Sequence, residues 1–278
     1  MVIALADASN LWLNNFSVPF RKTISIVPSH EKILPGILPV ILVALASPHF
    51  AALAKPSPLT NSVTAAGIAP YIRNASTHDP STLIKCKDEF WVFSTGRGVP
   101  SWHSKDLATW SPGPAIFTTA PPWVGEAVPA NRNLNYWAPD VIFMGGRFLV
   151  YYSASTFGKR VSGIGLVTSP TLDPNDPAYK WTDQGLVVGS KTNDEFNTID
   201  PAVFHDANGS LWLTFGSFWS GIKMIQLDPK TGKRLAPDSP LYALAHDDSI
   251  EASYLYQHAG YYYLFVNWGM CCRGVSST

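Results

Sequence analysis

The chain has 278 residues, and its 20 basic and 20 acidic side chains cancel to a formal charge of zero. That length supports one large domain with its own core, and balanced charge without a basic stripe argues against nucleic acid as a partner. Charged residues make up only 14% of the chain, whereas 13% are aromatic and Gly and Pro number 20 and 23, a profile of turn-rich β structure.

Residues 1–54 read as an N-terminal extension. Within it, the stretch 33–46 (ILPGILPVILVALA) is apolar and uncharged, follows Lys32 and precedes Ala52-Leu53-Ala54. A positive flank, an apolar run and an A-x-A tripeptide are the grammar of a secretory signal, with cleavage after Ala54. The run is shorter than the roughly 20 residues that span a bilayer. The expectation is therefore a secreted protein without stable membrane contact; a signal anchor that is never cleaved is the alternative. About 30 residues precede the run, more than a usual n-region carries. Sequons at Asn15, Asn74 and Asn208 fit the secretory route. Residues 55–70, with Pro56 and Pro58 among small residues, read as a flexible lead-in.

From residue 71 to 278 one phrase recurs four times: an acid, a short apolar strand, a tight turn and an aromatic-rich strand. The acids are Asp79, Asp140, Asp200 and Glu251, about 50 to 60 residues apart, a spacing of the order found in propellers and solenoids. Lys87-Asp88, Gly145-Gly146, Asn208-Gly209 and Ala259-Gly260 occupy the turns, and Gly supplies the positive φ that tight hairpins need. Further strands are predicted over 162–168 and 221–227, the second followed by the turn Asp228-Pro229-Lys230-Thr231-Gly232. Units of about four strands are propeller blades. A sandwich would share the short strands but does not call for an acid at one place in each unit. The predicted fold is thus an all-β propeller. Its fourth copy has few residues after Trp268, so it is expected to be incomplete, with about three and a half blades.

Three of the acids stand in distinctive contexts, His78-Asp79-Pro80, Ile199-Asp200-Pro201 and Ile250-Glu251-Ala252-Ser253. Each opens an apolar strand, from which a side chain can face a central cavity. Glycoside hydrolysis needs one protonated carboxyl to donate to the leaving oxygen and one carboxylate to activate water or attack carbon. A third carboxylate raises the donor's pKa by like-charge repulsion. An isolated Asp-Pro usually just caps a turn; three acids in register point to chemistry instead. Asp140, in the same repeat position after Trp137-Ala138-Pro139, is the control, because register alone assigns no role to it. Cys86, Cys271 and Cys272 give neither a disulfide framework nor a zinc-ligand spacing and are read as packed thiols.

The set HDPS (78–81), WAPDV (137–141), NTIDP (197–201), GSFWSGI (216–222), IEASY (250–254) and NWGMCCRG (267–274) resembles glycoside hydrolase family 43, most closely its fungal endo-1,5-α-L-arabinanases, over about residues 70–278. The resemblance implies a five-bladed propeller, here C-terminally truncated, that inverts the anomeric carbon. By motif it makes Asp79 the general base, Glu251 the general acid and Asp200 the group that holds up the acid's pKa and orients it. It places Trp137 as a sugar platform, and His78, Asn197, Ser217 and Phe218 at the cleft. The implied substrate is the arabinan of plant cell walls, handled by a monomer. An exo-acting arabinofuranosidase or β-xylosidase is the alternative, and a non-catalytic carbohydrate-binding propeller fragment is another. No organic cofactor is implied. A calcium or similar ion near the axis is, although the region that usually supplies its histidine is missing here and no metal ligand is assigned. Cys271 and Cys272 belong to the arabinanase-like motif without a redox role. With so much of the scaffold missing, the chain as written is expected to express poorly or be inactive.

Overall fold

A computed structural model describes residues 2–7, 77–269 and 271. The apolar run 33–46, the cleavage point after Ala54, the lead-in 55–70, Asn15, Asn74 and Cys272 lie outside the described residues. Among those described, no helix is long and apolar enough to cross a membrane.

Strand β1 is Val2–Asp7. The first repeat gives β2 (Ile84–Cys86), β3 (Glu89–Phe93), β4 (Gly96–Arg97), β5 (Ser101–Ser104) and β6 (Ser111–Gly113), followed by the short helix α1 (Pro122–Ala127). The second gives β7 (Asn135–Met144), β8 (Arg147–Ala154), β9 (Ser162–Ser169) and β10 (Thr182–Ser190). The third gives β11 (Ala202–His205), β12 (Leu211–Phe215), β13 (Ile222–Leu227) and β14 (Tyr242–Ala245), and the fourth β15 (Ile250–His258) and β16 (Tyr261–Trp268). Each repeat builds its own antiparallel sheet, in the orders β2-β3-β5-β6, β7-β8-β9-β10, β11-β12-β13-β14 and β15-β16. Two strands depart from this plan. β4 pairs with β7 at the edge of the second sheet, and β1 pairs with β16 in the fourth, where the sequence pattern predicted no strand.

Period-2 alternation explains why the sheets stack. Along β8, Phe148, Val150 and Tyr152 enter a core shared with Trp91 and Phe93 of the first sheet, while Leu149 and Tyr151 enter a core shared with Leu211, Leu213 and Phe215 of the third. Along β12 the intervening Trp212 turns the other way, into a core with Leu255, Tyr262, Leu264 and Val266 of the fourth sheet. Three apolar layers therefore join four sheets, each fully buried aliphatic or aromatic side chain contributing about 1.5–3 kcal/mol. β16 alternates likewise, but its other face exposes Tyr261 and Phe265. At α1, the indole of Trp123 lies over β9, where a Cβ on Gly165 would meet it at 2.5 Å. Only glycine admits that approach.

The hairpin turns fall where the sequence placed them. Gly145 and Gly146 take φ of 58° and 75°, and Ala259 and Gly260 take 49° and 81°. The acid register needs correction, however. Asp79 stands before the turn at 87 as Asp200 stands before 208 and Glu251 before 259; the residue at the same distance before 145 is Trp137, not Asp140. Backbone geometry agrees. A left-handed residue opens each repeat at Asp79 (φ 48°), Ala138 (φ 40°), Asp200 (φ 59°) and Ala252 (φ 52°), so Trp137 and Glu251 both directly precede such a residue. Asp140 lies beyond an irregularity in the β7–β8 register between Trp137 and Asp140. Its carboxylate is buried at 4% exposure and accepts the N–H of Thr82 (3.0 Å) and of Val203 (2.8 Å), tying the first and third sheets to the second.

The cysteines need a second correction. Cys86 is a free, buried thiol as expected, but Cys271 is disulfide-bonded. Spacing arguments miss it because they register frameworks of well-separated cysteines.

Candidate active site

Three carboxyl groups from three sheets meet at one end of the strands. Asp79 precedes β2, Asp200 precedes β11 and Glu251 lies at the start of β15. Their backbones are fixed by bonds to the strand ends beside them. Thr95 N–H donates to His78 O (2.9 Å) and Ser81 N–H to Phe93 O (2.8 Å), bracketing Asp79. Gly216 N–H donates to Ile199 O (2.8 Å) and Phe218 N–H to Ile250 O (2.8 Å), bracing the residues before Asp200 and Glu251. Left-handed non-glycine residues cost free energy and persist where surrounding bonds over-determine them; such bonds are present here.

The side chains are linked as well. Ala252 N–H donates to Asp200 Oδ2 at 3.1 Å, so the residue after one acid holds the other. The Ser217 hydroxyl donates to Glu251 Oε2 at 3.1 Å. The Ser153 hydroxyl accepts the N–H of Asp200 at 3.0 Å. Asp79 Oδ2 accepts from the Thr95 hydroxyl at 2.6 Å and lies 2.8 Å from His78 Nδ1.

Electrostatics divide the set. Desolvation, then the charges of Glu251 and Asp79, push the carboxyl of Asp200 up to about 8, against the opposing bond from Ala252. Desolvation and the charge of Asp79 also raise Glu251, while the bond from Ser217 opposes the rise. With Asp200 pushed up to about 8, its carboxyl retains a proton into the neutral range, and Glu251 is raised as well. Such a site can present a protonated carboxyl beside an ionised one.

The other predicted residues are placed as follows. Trp137 is half-buried on β7, beside the Ala138 N–H that donates to the Thr95 hydroxyl at 2.7 Å. Ser217 and Phe218 lie in the loop after β12, with Phe218 left-handed at φ 56°. His78 is exposed beside Asp79. Asn197 is buried at 3% exposure, its Oδ1 accepting the Ser162 hydroxyl at 2.5 Å. Sequence reasoning missed Thr95 and Ser153. A signal was there: a hydroxyl residue follows each aromatic strand core, in Phe93-Ser94-Thr95, Tyr152-Ser153 and Phe215-Gly216-Ser217. Each reaches an acid of its own repeat or the next. Among the described residues no group of three or more His, Cys, Asp or Glu is placed to hold a metal ion.

The family model for glycosyl hydrolases family 43 matches residues 70–278. The chain is 37% identical over 227 residues to an extracellular exo-α-(1→5)-L-arabinofuranosidase of Cellvibrio japonicus, covering 77% of this chain and 65% of that protein. It is 40% identical over 213 residues to an extracellular endo-α-(1→5)-L-arabinanase of Bacillus subtilis, covering 74% and 63%. The chain therefore spans less than two thirds of the length of these two relatives. The structure of a Cellvibrio cellulosa α-L-arabinanase complexed with arabinohexaose superposes with a TM-score of 0.68 at 36% identity, over 73% of this chain and 68% of that one.

Proposed function

The chain belongs to glycosyl hydrolases family 43, and we propose that its three-acid site cleaves α-1,5-L-arabinofuranosidic links within arabinan with inversion. The observation that carries this reading is the coupling of Asp79, Asp200 and Glu251, with Asp200 pushed up to about 8. The two relatives named above support arabinan as the substrate class, and their extracellular names support a secreted protein. The four stacked sheets are compatible with part of a five-bladed propeller.

In this mechanism Asp79 accepts a proton from a water whose oxygen attacks the anomeric carbon. The bond from that carbon to the leaving oxygen breaks as Glu251 delivers its proton to that oxygen. Asp200, coupled to Glu251, keeps a proton available to the pair at neutral pH. Water and base on one face, and acid on the other, give inversion when the carboxyls stand about 6.5–9.5 Å apart. Trp137, half-buried near the acids, offers a flat face for a sugar ring, with His78, Ser217 and Phe218 around it and Asn197 buried.

Action at chain ends is the second reading, favoured by the exo-acting relative. Product profiling on linear arabinan separates the two. Oligomers appearing first support internal cleavage, and monosaccharide first supports the exo reading. Absence of any cleavage, with arabinan still bound, would leave a carbohydrate-binding propeller.

A further inference from the structure

We propose that Thr95 is a positioning residue that fixes the Asp79 carboxylate so that Oδ1, not Oδ2, takes the proton of the attacking water. This inference rests on Asp79 being the general base.

The geometry of one hydroxyl carries it. Thr95 Oγ1 stands 2.6 Å from Asp79 Oδ2 and 2.7 Å from the backbone nitrogen of Ala138. The amide of Ala138 can only donate, so it occupies a lone pair of the hydroxyl oxygen. A threonine hydroxyl has one proton, and the carboxylate is the acceptor within reach, so the Thr95 proton lies on the line to Asp79. His78 Nδ1 is 2.8 Å from the same Oδ2. Among the described residues, both polar contacts of this carboxylate fall on Oδ2, which leaves Oδ1 to receive a proton.

Thr95 is itself held. Its N–H donates to His78 O at 2.9 Å, and Ala138 belongs to β7, in the second sheet. The hydroxyl thus references the carboxylate plane of Asp79 to a neighbouring sheet as well as to its own. Asp79 sits at φ 48°, where its side chain leaves the backbone in a direction the strand would not give. A displacement of about 1 Å in such a group costs on the order of 100-fold in rate.

The test compares Thr95→Val, which keeps the shape and loses the hydroxyl, with Thr95→Ser in the full chain, using arabinohexaose. For Thr95→Val, kcat is expected to fall about 10- to 100-fold with KM within about 2-fold, and Thr95→Ser to restore kcat to within about 3-fold of the starting protein. A Thr95→Val kcat within about 2-fold, or an equal loss in Thr95→Ser, would overturn the proposal. A crystal structure of Thr95→Val reads the same point without turnover. Rotation of the Asp79 carboxylate away from its present plane supports the proposal; an unmoved carboxylate overturns it at any level of activity. Absence of turnover in the unsubstituted chain would count against the glycosidase reading alone, leaving the crystal structure to decide the role of Thr95.

Discussion

The backbone N–H that directly follows Glu251, that of Ala252, is bound by the carboxylate of Asp200 at 3.1 Å. One acid thereby holds the chain that carries the other. The charge of Glu251 is in turn a cause of the raised pKa of Asp200.

A basic limb of activity follows from this pair. A group with raised pKa stays protonated below that value and loses its proton as pH rises through it. With Asp200 pushed up to about 8, cleavage is expected to decline as pH rises through about 8. Asp200→Asn removes the partner that shares the proton, so the alkaline limb should move down by about one pH unit or more. A pH–rate profile of kcat/KM on arabinohexaose checks this; a limb that stays in place removes Asp200 from the pair.

Ser217→Ala should act in the opposite direction. The Ser217 hydroxyl favours the ionised form of Glu251, so its loss raises the acid further. The alkaline limb is expected to rise by about one unit, since a hydrogen bond to a charged group is worth about 1.5–3 kcal/mol and one unit is about 1.4 kcal/mol. The same pH–rate measurement decides it.

Asp79→Asn and Glu251→Gln keep side-chain volume and remove the groups assigned to proton transfer. Each is expected to lower kcat by at least about 100-fold while the melting temperature shifts by only a few degrees. Either variant retaining near-normal turnover, measured by reducing-sugar release, would exclude that residue from the chemistry.

Asp140→Ala should fail differently. It leaves the N–H groups of half-buried Thr82 and buried Val203 without their acceptor, at a cost of about 1–3 kcal/mol for each. Urea denaturation should show a loss of roughly 2–5 kcal/mol, with Asp140→Asn in between because its amide oxygen still accepts one bond. A midpoint within error of the starting protein would show that the clamp contributes nothing.

Much of the scaffold was legible because its signals are local. Alternation such as Phe148-Leu149-Val150-Tyr151-Tyr152 sends side chains to two faces whatever surrounds it, and Gly145-Gly146 and Ala259-Gly260 mark hairpins by backbone preference. Asp79, Asp200 and Glu251 also stood out, each at the same distance before its turn. That count, applied to the second repeat, selects Trp137. The mismatch with Asp140 is therefore present in the sequence, in the distance to the turn rather than in the residue type. The pairing of β1 with β16 and the disulfide at Cys271 had no such local mark.

Most of the strands, the hairpin turns and the three acids were legible along the chain, because period-2 burial and turn conformations depend on near neighbours in sequence. Tertiary structure alone decided what those acids are. Asp140 lies within β7 and Asp200 just before β11, yet the first accepts two backbone N–H groups while the second is raised by burial and by the charges of Glu251 and Asp79. That difference comes from which sheet lies opposite. Desolvation and charge act through space, and no spacing along the chain encodes the groups that the stacking of sheets brings together.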